Sequence, residues 1–222
     1  MTSTALPEQS VAERARPSES VAAVFRSSIH PPITMRAGDR RRTPDLAERA
    51  VPIDSGEFRR VLGHVPTGVV VVTTMNASAP VGIAIGAFLS ISLDPPLVGF
   101  FLDNRSGSLP LFTGRSSFCV NVLGADEAQL GRNFSRPVDR FANVAWLPGT
   151  SGNPALEGAI AWIECEVEET LRLGDHTLVT GAVQTLSVND READPAGLVF
   201  YRGGFFGVDG TPLPLDQDGA RT

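Results

Sequence analysis

Lysine is absent from this 222-residue chain, and all nineteen of its Lys or Arg positions are arginine. That absence excludes a P-loop lysine, a Schiff-base lysine and an ammonium general base, so a bound phosphate must be met by arginine, hydroxyls or backbone N–H groups. Cysteine is scarce as well. Cys119 and Cys165 lie far apart in apolar runs, give no metal-ligand spacing or disulfide framework, and read as buried reduced thiols. No stretch approaches the roughly 18 consecutive apolar residues that a membrane-spanning helix needs. No G-x-G-x-x-G stands between a strand and a helix, which excludes a Rossmann unit. Positive charge is outweighed: 25 acidic residues give a net charge of -6, so no basic face is expected to draw in nucleic acid or an anionic membrane.

What is present divides the chain into three stretches. Residues 1–50 are rich in Ser, Ala, Pro, Arg and Glu, with Phe25 as the only aromatic, and are expected to form a disordered extension. Arg40-Arg41-Arg42 is followed by polar residues where an export signal needs an apolar stretch, so a cytoplasmic, soluble protein is expected. Residues 51–208 carry the fold, and 209–222, rich in Gly, Pro and Asp, form a loose tail. Asp54 or Ser55 caps a helix with Phe58, Val61 and Leu62 on one face. Strands are expected over residues 69–74, 81–91, 97–101, 118–123, 159–170, 176–187 and 198–206, with short helices over 106–112 and 125–134. The residues between 134 and 159, with Trp146, Pro148 and Pro154, read as irregular. Many strands, few helices and short connections predict an all-β-dominated domain, a closed or nearly closed antiparallel barrel.

The most informative stretch runs from Val81 to Leu102. Two apolar strand-like runs are hinged on Asp94-Pro95-Pro96, and Gly82 and Gly86 suit a backbone lying close to something flat. Ser106-Gly107-Ser108-Leu109 begins a helix directly after a strand, where N–H groups favour an anion and Arg105 adds charge; an ordinary serine cap is the other reading. Of the three histidines, only His176 falls in a recognisable motif, Gly174-Asp175-His176. Phe200-Tyr201-Arg202-Gly203 by itself reads as a terminal strand and turn.

With Pro66-Thr67-Gly68 and Cys119-Val120-Asn121-Val122-Leu123, these stretches resemble the flavin reductase family, in particular the small reductase component of two-component flavin-dependent monooxygenases. The resemblance implies an antiparallel split barrel of the flavin reductase-like kind. It implies that Gly86, Ala87, Phe88, Leu89, Ser90, Ser92 and Leu93 line a flavin, that Gly107, Ser108 and Leu109 meet its phosphate, and that Val138 and Asp139 add a second contact. Asp139 can equally be solvated or pair with Arg136 or Arg140. The resemblance places His176 beside the nicotinamide as the candidate catalytic residue, and Phe200, Tyr201, Arg202 and Gly203 against the NADH. Where the common family pattern reads G-M-T-A-N-S-F-T-S-V-S-L-D-P-P, this chain has Ala84, Gly86 and Ala87 in place of Thr, Asn and Ser. Each missing hydrogen bond costs about 0.5–1.5 kcal/mol, which weakens flavin affinity without abolishing it.

The implied activity is that of an NAD(P)H:flavin oxidoreductase (EC 1.5.1.-). Hydride passes from NADH, with NADPH the alternative donor, to FAD or FMN, and the reduced flavin is released to a partner monooxygenase or halogenase. A homodimer is implied. No metal is required. Two other classes stay open: a flavin- or haem-binding split-barrel protein without turnover, and a scaffold subunit of an oxygenase.

Overall fold

Val69-Val70-Val71-Val72 is apolar at every position, a pattern that suits a strand only when both of its faces are covered. The computed structural model describes residues 53–136, 139–189 and 195–211. In chain order its elements are α1 (Ser55–Leu62), β1 (Thr67–Gly68), β2 (Val70–Asn76), β3 (Ala79–Ile85), β4 (Phe88–Leu93), β5 (Pro96–Asp103), α2 (Leu109–Thr113), β6 (Ser117–Leu123), a 3-10 turn (Ala125–Glu127), α3 (Ala128–Phe134), β7 (Trp146–Pro148), β8 (Pro154–Leu156), β9 (Ala159–Leu173), β10 (His176–Val188), β11 (Gly197–Tyr201) and β12 (Gly204–Val208). Both covers of the valine run are present. Val70 and Val72 join Phe100, Phe118, Val120 and Val179 in one buried cluster, while Val69 and Val71 join Leu123, Phe134, Leu156 and Leu198 in another.

Seven strands form one antiparallel sheet in the order β3-β2-β6-β9-β10-β5-β4. Its two edge strands, β3 and β4, are consecutive in sequence and joined only by Gly86 and Ala87, so the sheet must curl until its edges meet. No ladder joins β3 to β4 among the described residues. The architecture is therefore the expected antiparallel barrel, split along a seam at Gly86-Ala87. Its interior holds Phe100, edge-to-face with Phe112 of α2 at 5.7 Å and with Phe118 at 5.3 Å. On the outer side, α3 and the three-stranded sheet β1-β11-β12 supply Phe134 and Leu198 to the second cluster.

Several sequence expectations need correction. Residues 81–91 are two strands, broken at Gly86-Ala87, because the chain passes there from one edge of the sheet to the other. The helix expected over 106–112 is reduced to five residues, since 106–108 form turns ahead of Pro110, which sits in its first turn. The stretch expected to be irregular contains the β7–β8 hairpin, whose prolines Pro148 and Pro154 sit opposite each other at its end, where a missing N–H does least harm. Asp54 caps α1 as expected, its carboxylate accepting from Glu57 N at 2.9 Å. The apolar face of α1 is not buried, however: Phe58, Val61 and Leu62 are each about half exposed. The expected disordered extension, His30, and most of the tail (212–222) lie outside the described residues. No helix among the described residues is long and apolar enough to cross a membrane. Both cysteines are free and buried, and burial pushes their thiols up to about 12, which makes them unreactive.

The β7–β8 hairpin is pinned by two buried polar side chains. Asn121 donates to Val71 O (3.0 Å) and Thr73 Oγ1 (3.0 Å) and accepts from Leu156 N (2.7 Å). Glu164 accepts from the backbone N–H groups of Thr150 and Ser151, both at 2.7 Å, and from the Ser151 hydroxyl. Burial pushes the Glu164 carboxyl up, but the hydrogen bonds from Ser151 and Thr150 outweigh it and the net shift is downward. A carboxylate whose folded pKa is depressed adds stability above its unfolded value, about 4.3, and loses it as pH falls through the folded one. The melting temperature of the native protein should exceed that of Glu164→Gln at pH 7, with the gap narrowing progressively below about pH 4 as the carboxylate protonates. A gap unchanged down to about pH 3 would show that the ionised carboxylate contributes nothing.

Candidate functional site

The seam is where the sheet runs out of partners, and the residues there are small. Ala87 O accepts from Phe101 N at 3.2 Å, after which β4 pairs with β5 until a register shift between Ser90 and Ser92. That irregularity leaves Leu89, Ser90 and Leu93 exposed, with Ser92 partly covered and Phe88 packed against the barrel interior. Gly86 has a local reason: a Cβ there would meet Thr67 Oγ1 at 2.9 Å. The Thr67 hydroxyl thus lies where a side chain at position 86 would begin. It returns a polar group to the stretch in which Ala84, Gly86 and Ala87 lack one, a compensation between β1 and the seam that the sequence pattern does not reveal.

Around Ser108 the structure differs from the expected anion site at a helix start. Ser108 N and Leu109 N are already taken by Ser106, through its hydroxyl (3.2 Å) and carbonyl (3.1 Å), so the helix-start N–H groups are not open donors. Arg105 does not contribute charge either. Its guanidinium pairs with Asp103 at 2.7 Å, and this hydrogen bonding holds the Asp103 carboxyl far below the usual carboxylate range. The guanidinium beside Ser108 is that of Arg140, which donates to Gly82 O at 2.7 Å and to Ser108 Oγ at 3.3 Å. Ser108, Arg140 and Asp139 line a cavity of about 340 Å³ with Pro80, Val81 and Gly82 of β3. The Asp139 carboxylate accepts from Phe141 N at 3.2 Å and pairs with neither Arg136 nor Arg140. Gly107 and Leu109 do not line this cavity, and Val138 lies outside the described residues.

Gly174 and Asp175 form the two-residue link between β9 and β10, with Gly174 at φ 62. Asn104 clamps this turn: its N–H donates to Asp175 O (2.9 Å), its amide to Gly174 O (3.3 Å), and its side-chain carbonyl accepts from Thr177 Oγ1 (2.7 Å). His176 Nδ1 meets Asp175 Oδ1 at 2.8 Å, a contact that lowers the Asp175 pKa and fixes the ring so that Nε2 is the nitrogen open to a ligand. His176 and Asp175 line a cavity of about 750 Å³ with Asp103, Arg105 and the start of α1. His176 stands opposite Asp103 of β5, and Ala87 bonds Phe101 on the other side of that strand, so strand spacing and rise put the two about 12 Å apart.

Phe200-Tyr201-Arg202-Gly203 is a strand end and a two-residue turn, as its residues alone suggest. Tyr201 pairs with Gly204, and Arg202 and Gly203 both have positive φ (48 and 83), the twist that suits a tight hairpin. Phe200 and Gly203 face a third cavity, of about 340 Å³, with Val69, Ala84, Ile85, Gly86, Arg132, Ser135, Arg136 and Phe205. Tyr201 instead packs edge-on to His64, which follows α1 and whose Nδ1 donates to Arg60 O at 2.9 Å. The structure therefore joins Ser108 with Asp139, and Gly86 with Phe200 and Gly203, but leaves His176 in a cavity of its own.

A family model described as flavin reductase like domain matches residues 62–209. A flavin reductase of Pseudomonas putida is 41% identical over 157 residues, covering 70% of this chain and 91% of its own length. The reductase subunit HsaB of a flavin-dependent monooxygenase from Mycobacterium tuberculosis is 40% identical over 158 residues, covering 71% and 84%. Among solved structures, an NADH:FAD oxidoreductase of Streptomyces globisporus in complex with NAD and FAD fragments superposes with a TM-score of 0.64 at 33% identity, covering 76% of this chain and all of that one. The matched span contains the seam, the Ser108–Arg140 cavity, the His176 turn and the β11–β12 hairpin, and on that ground the chain belongs to the flavin reductase-like family.

Proposed function

We propose that the protein is an NADH-dependent flavin reductase, an NAD(P)H:flavin oxidoreductase that hands reduced FAD or FMN to a partner flavin-dependent monooxygenase or halogenase. The observation that carries the reading is the placing of cavities at both ends of β3, one with Arg140 and Ser108, the other with Gly86, Phe200 and two arginines. Guanidinium, hydroxyl and aromatic walls fit two phosphorylated aromatic ligands. When bound, the flavin supplies the electron chemistry by accepting hydride from the reduced nicotinamide, and no side-chain nucleophile is needed. The protein binds and orients: Arg140 and Ser108 hold the flavin phosphate, the seam from Gly86 to Leu93 lies along the ring, and His176, across β5 in its separate cavity, reaches the nicotinamide through Nε2. Orientation is the main source of rate.

A homodimer belongs to the same proposal. Phe58, Val61 and Leu62 of α1 and Leu93 of β4 are exposed apolar side chains, and a second copy of the chain can cover them while bringing its own residues to the site.

Arg202 provides a direct check on the nicotinamide side. The Arg202→Ala change is expected to raise KM for NADH tenfold or more while leaving KM for flavin nearly unchanged, since a charge-assisted bond to phosphate is worth about 1.5–3 kcal/mol. Equal rises for both substrates would assign Arg202 to the hairpin turn alone.

A further inference from the structure

Among the described residues the guanidiniums of Arg132 and Arg136 make no hydrogen bond, yet both side chains line the cavity between Gly86 and the β11–β12 hairpin. Arg132 lies in the last turn of α3 and Arg136 just beyond its C-cap Ser135, where arginines commonly answer exposed helix carbonyls. Here those carbonyls are already satisfied: Arg132 O accepts from Ser135 N and from Ser135 Oγ, and Asn133 O accepts from Arg136 N. Among the described residues neither guanidinium is in an ion pair, although the chain carries an excess of acid. The Arg132 guanidinium lies over the Phe205 ring, 5.7 Å from its centroid, which holds the charge at the wall of the cavity. Phe200, the cross-strand neighbour of Phe205 in the β11–β12 hairpin, extends that wall, with 5.4 Å between ring centroids and 41% of its surface exposed. Two guanidiniums without carboxylate partners, beside packed aromatics, make a site for a doubly charged anion attached to a flat apolar group. A cavity of about 340 Å³ is at the lower end of small-ligand sites and takes part of a dinucleotide rather than the whole.

We propose that Arg132 and Arg136 form the clamp for the diphosphate of the nicotinamide dinucleotide, an assignment that rests on the reading of Phe200–Gly203 as the NADH-facing stretch. The same chemistry is offered by the ADP half of FAD, and the nicotinamide source is favoured because Phe200 and Gly203 share this cavity while Ser108 and Arg140 serve the other.

The test uses the full chain and the Arg132→Ala/Arg136→Ala double variant. Calorimetric titration with ADP, which needs no turnover, should show at least a tenfold loss of affinity in the double variant. KM for NADH should rise at least tenfold with kcat within about twofold, and Kd for FMN should stay within about twofold. The loss should be specific to phosphorylated donors, so that with dihydronicotinamide riboside, which bears the same reducing ring without phosphate, the two proteins differ by less than about twofold. Because Arg132 also packs on Phe205, Arg136→Gln alone should reproduce the effect at about threefold or more, with Arg136→Glu worse. An unchanged KM for NADH, in proteins that consume both donors, would overturn the clamp and leave the reductase reading standing. A weakened Kd for FAD with KM for NADH intact would overturn the nicotinamide assignment in favour of the flavin. Failure of the unmodified protein to consume either donor would overturn the reductase reading and the clamp with it.

Discussion

His176→Ala should slow flavin reduction by about ten- to a hundredfold in single-turnover experiments, the scale of one positioning interaction at about 1.4–3 kcal/mol. The flavin dissociation constant should hardly move, because His176 lies across β5 from the seam, in the cavity it shares with Asp175, Asp103 and Arg105. The geometry suits the imidazole to orienting a ligand, since Asp175 engages Nδ1 at 2.8 Å and Asn104 fixes the turn that carries both. A structural role would show instead as a lowered melting temperature with a normal reduction rate at saturating NADH. An unaltered rate at every NADH concentration would remove His176 from the site.

The Asn121→Ala protein should lose about 2–4 kcal/mol of stability, since buried groups left without partners cost about 1–3 kcal/mol each. Asn121 is fully buried and serves three of them: Val71 O, Thr73 Oγ1 and Leu156 N. Thr73 keeps its bonds to Cys119 O and Pro154 O, but Leu156 N loses its acceptor, and with it the tie between β6 and the β7–β8 hairpin. For a domain of this size such a loss lowers the melting temperature by about 5–15 °C. Asn121→Asp should not recover it at neutral pH, because the oxygen that replaces the amide nitrogen is a buried charged acceptor facing Val71 O and Pro154 O. A melting temperature within about a degree of the native one would show that water replaces the side chain at no cost.

The barrel is legible in the sequence because its strands carry their own signals. The valine run of β2, the Asp94-Pro95 turn between β4 and β5, and the long β9 and β10 stretches all appear where residue pattern puts them. Where the pattern fails, the cause is contact between residues distant in the chain. Gly86-Ala87 breaks a continuous apolar run because the sheet must close on itself, which no local window shows. Arg140 reaches Gly82, 58 residues away, and Asn104 reaches Gly174, 70 residues away, so neither stands out from its neighbours in the sequence. Arg105 looks available beside Ser106, but Asp103, two residues back, claims its guanidinium. Prolines hide the β7–β8 hairpin, since Pro148 and Pro154 read as breakers until their pairing at the hairpin's end is seen. The amphipathic character of α1 is plain from its residues, yet nothing local says that its apolar face stays exposed in a single copy.

The central claim is that this barrel passes hydride from a nicotinamide to a flavin and then lets the flavin go. Mixing the purified protein with NADH and free FMN or FAD without oxygen, and following both the bleaching of the flavin and its passage through a filtration membrane, tests both halves together. The account predicts rapid bleaching that requires the protein and NADH, with the reduced flavin recovered in the filtrate. A coloured flavin retained on the protein and left oxidised by excess NADH would contradict it.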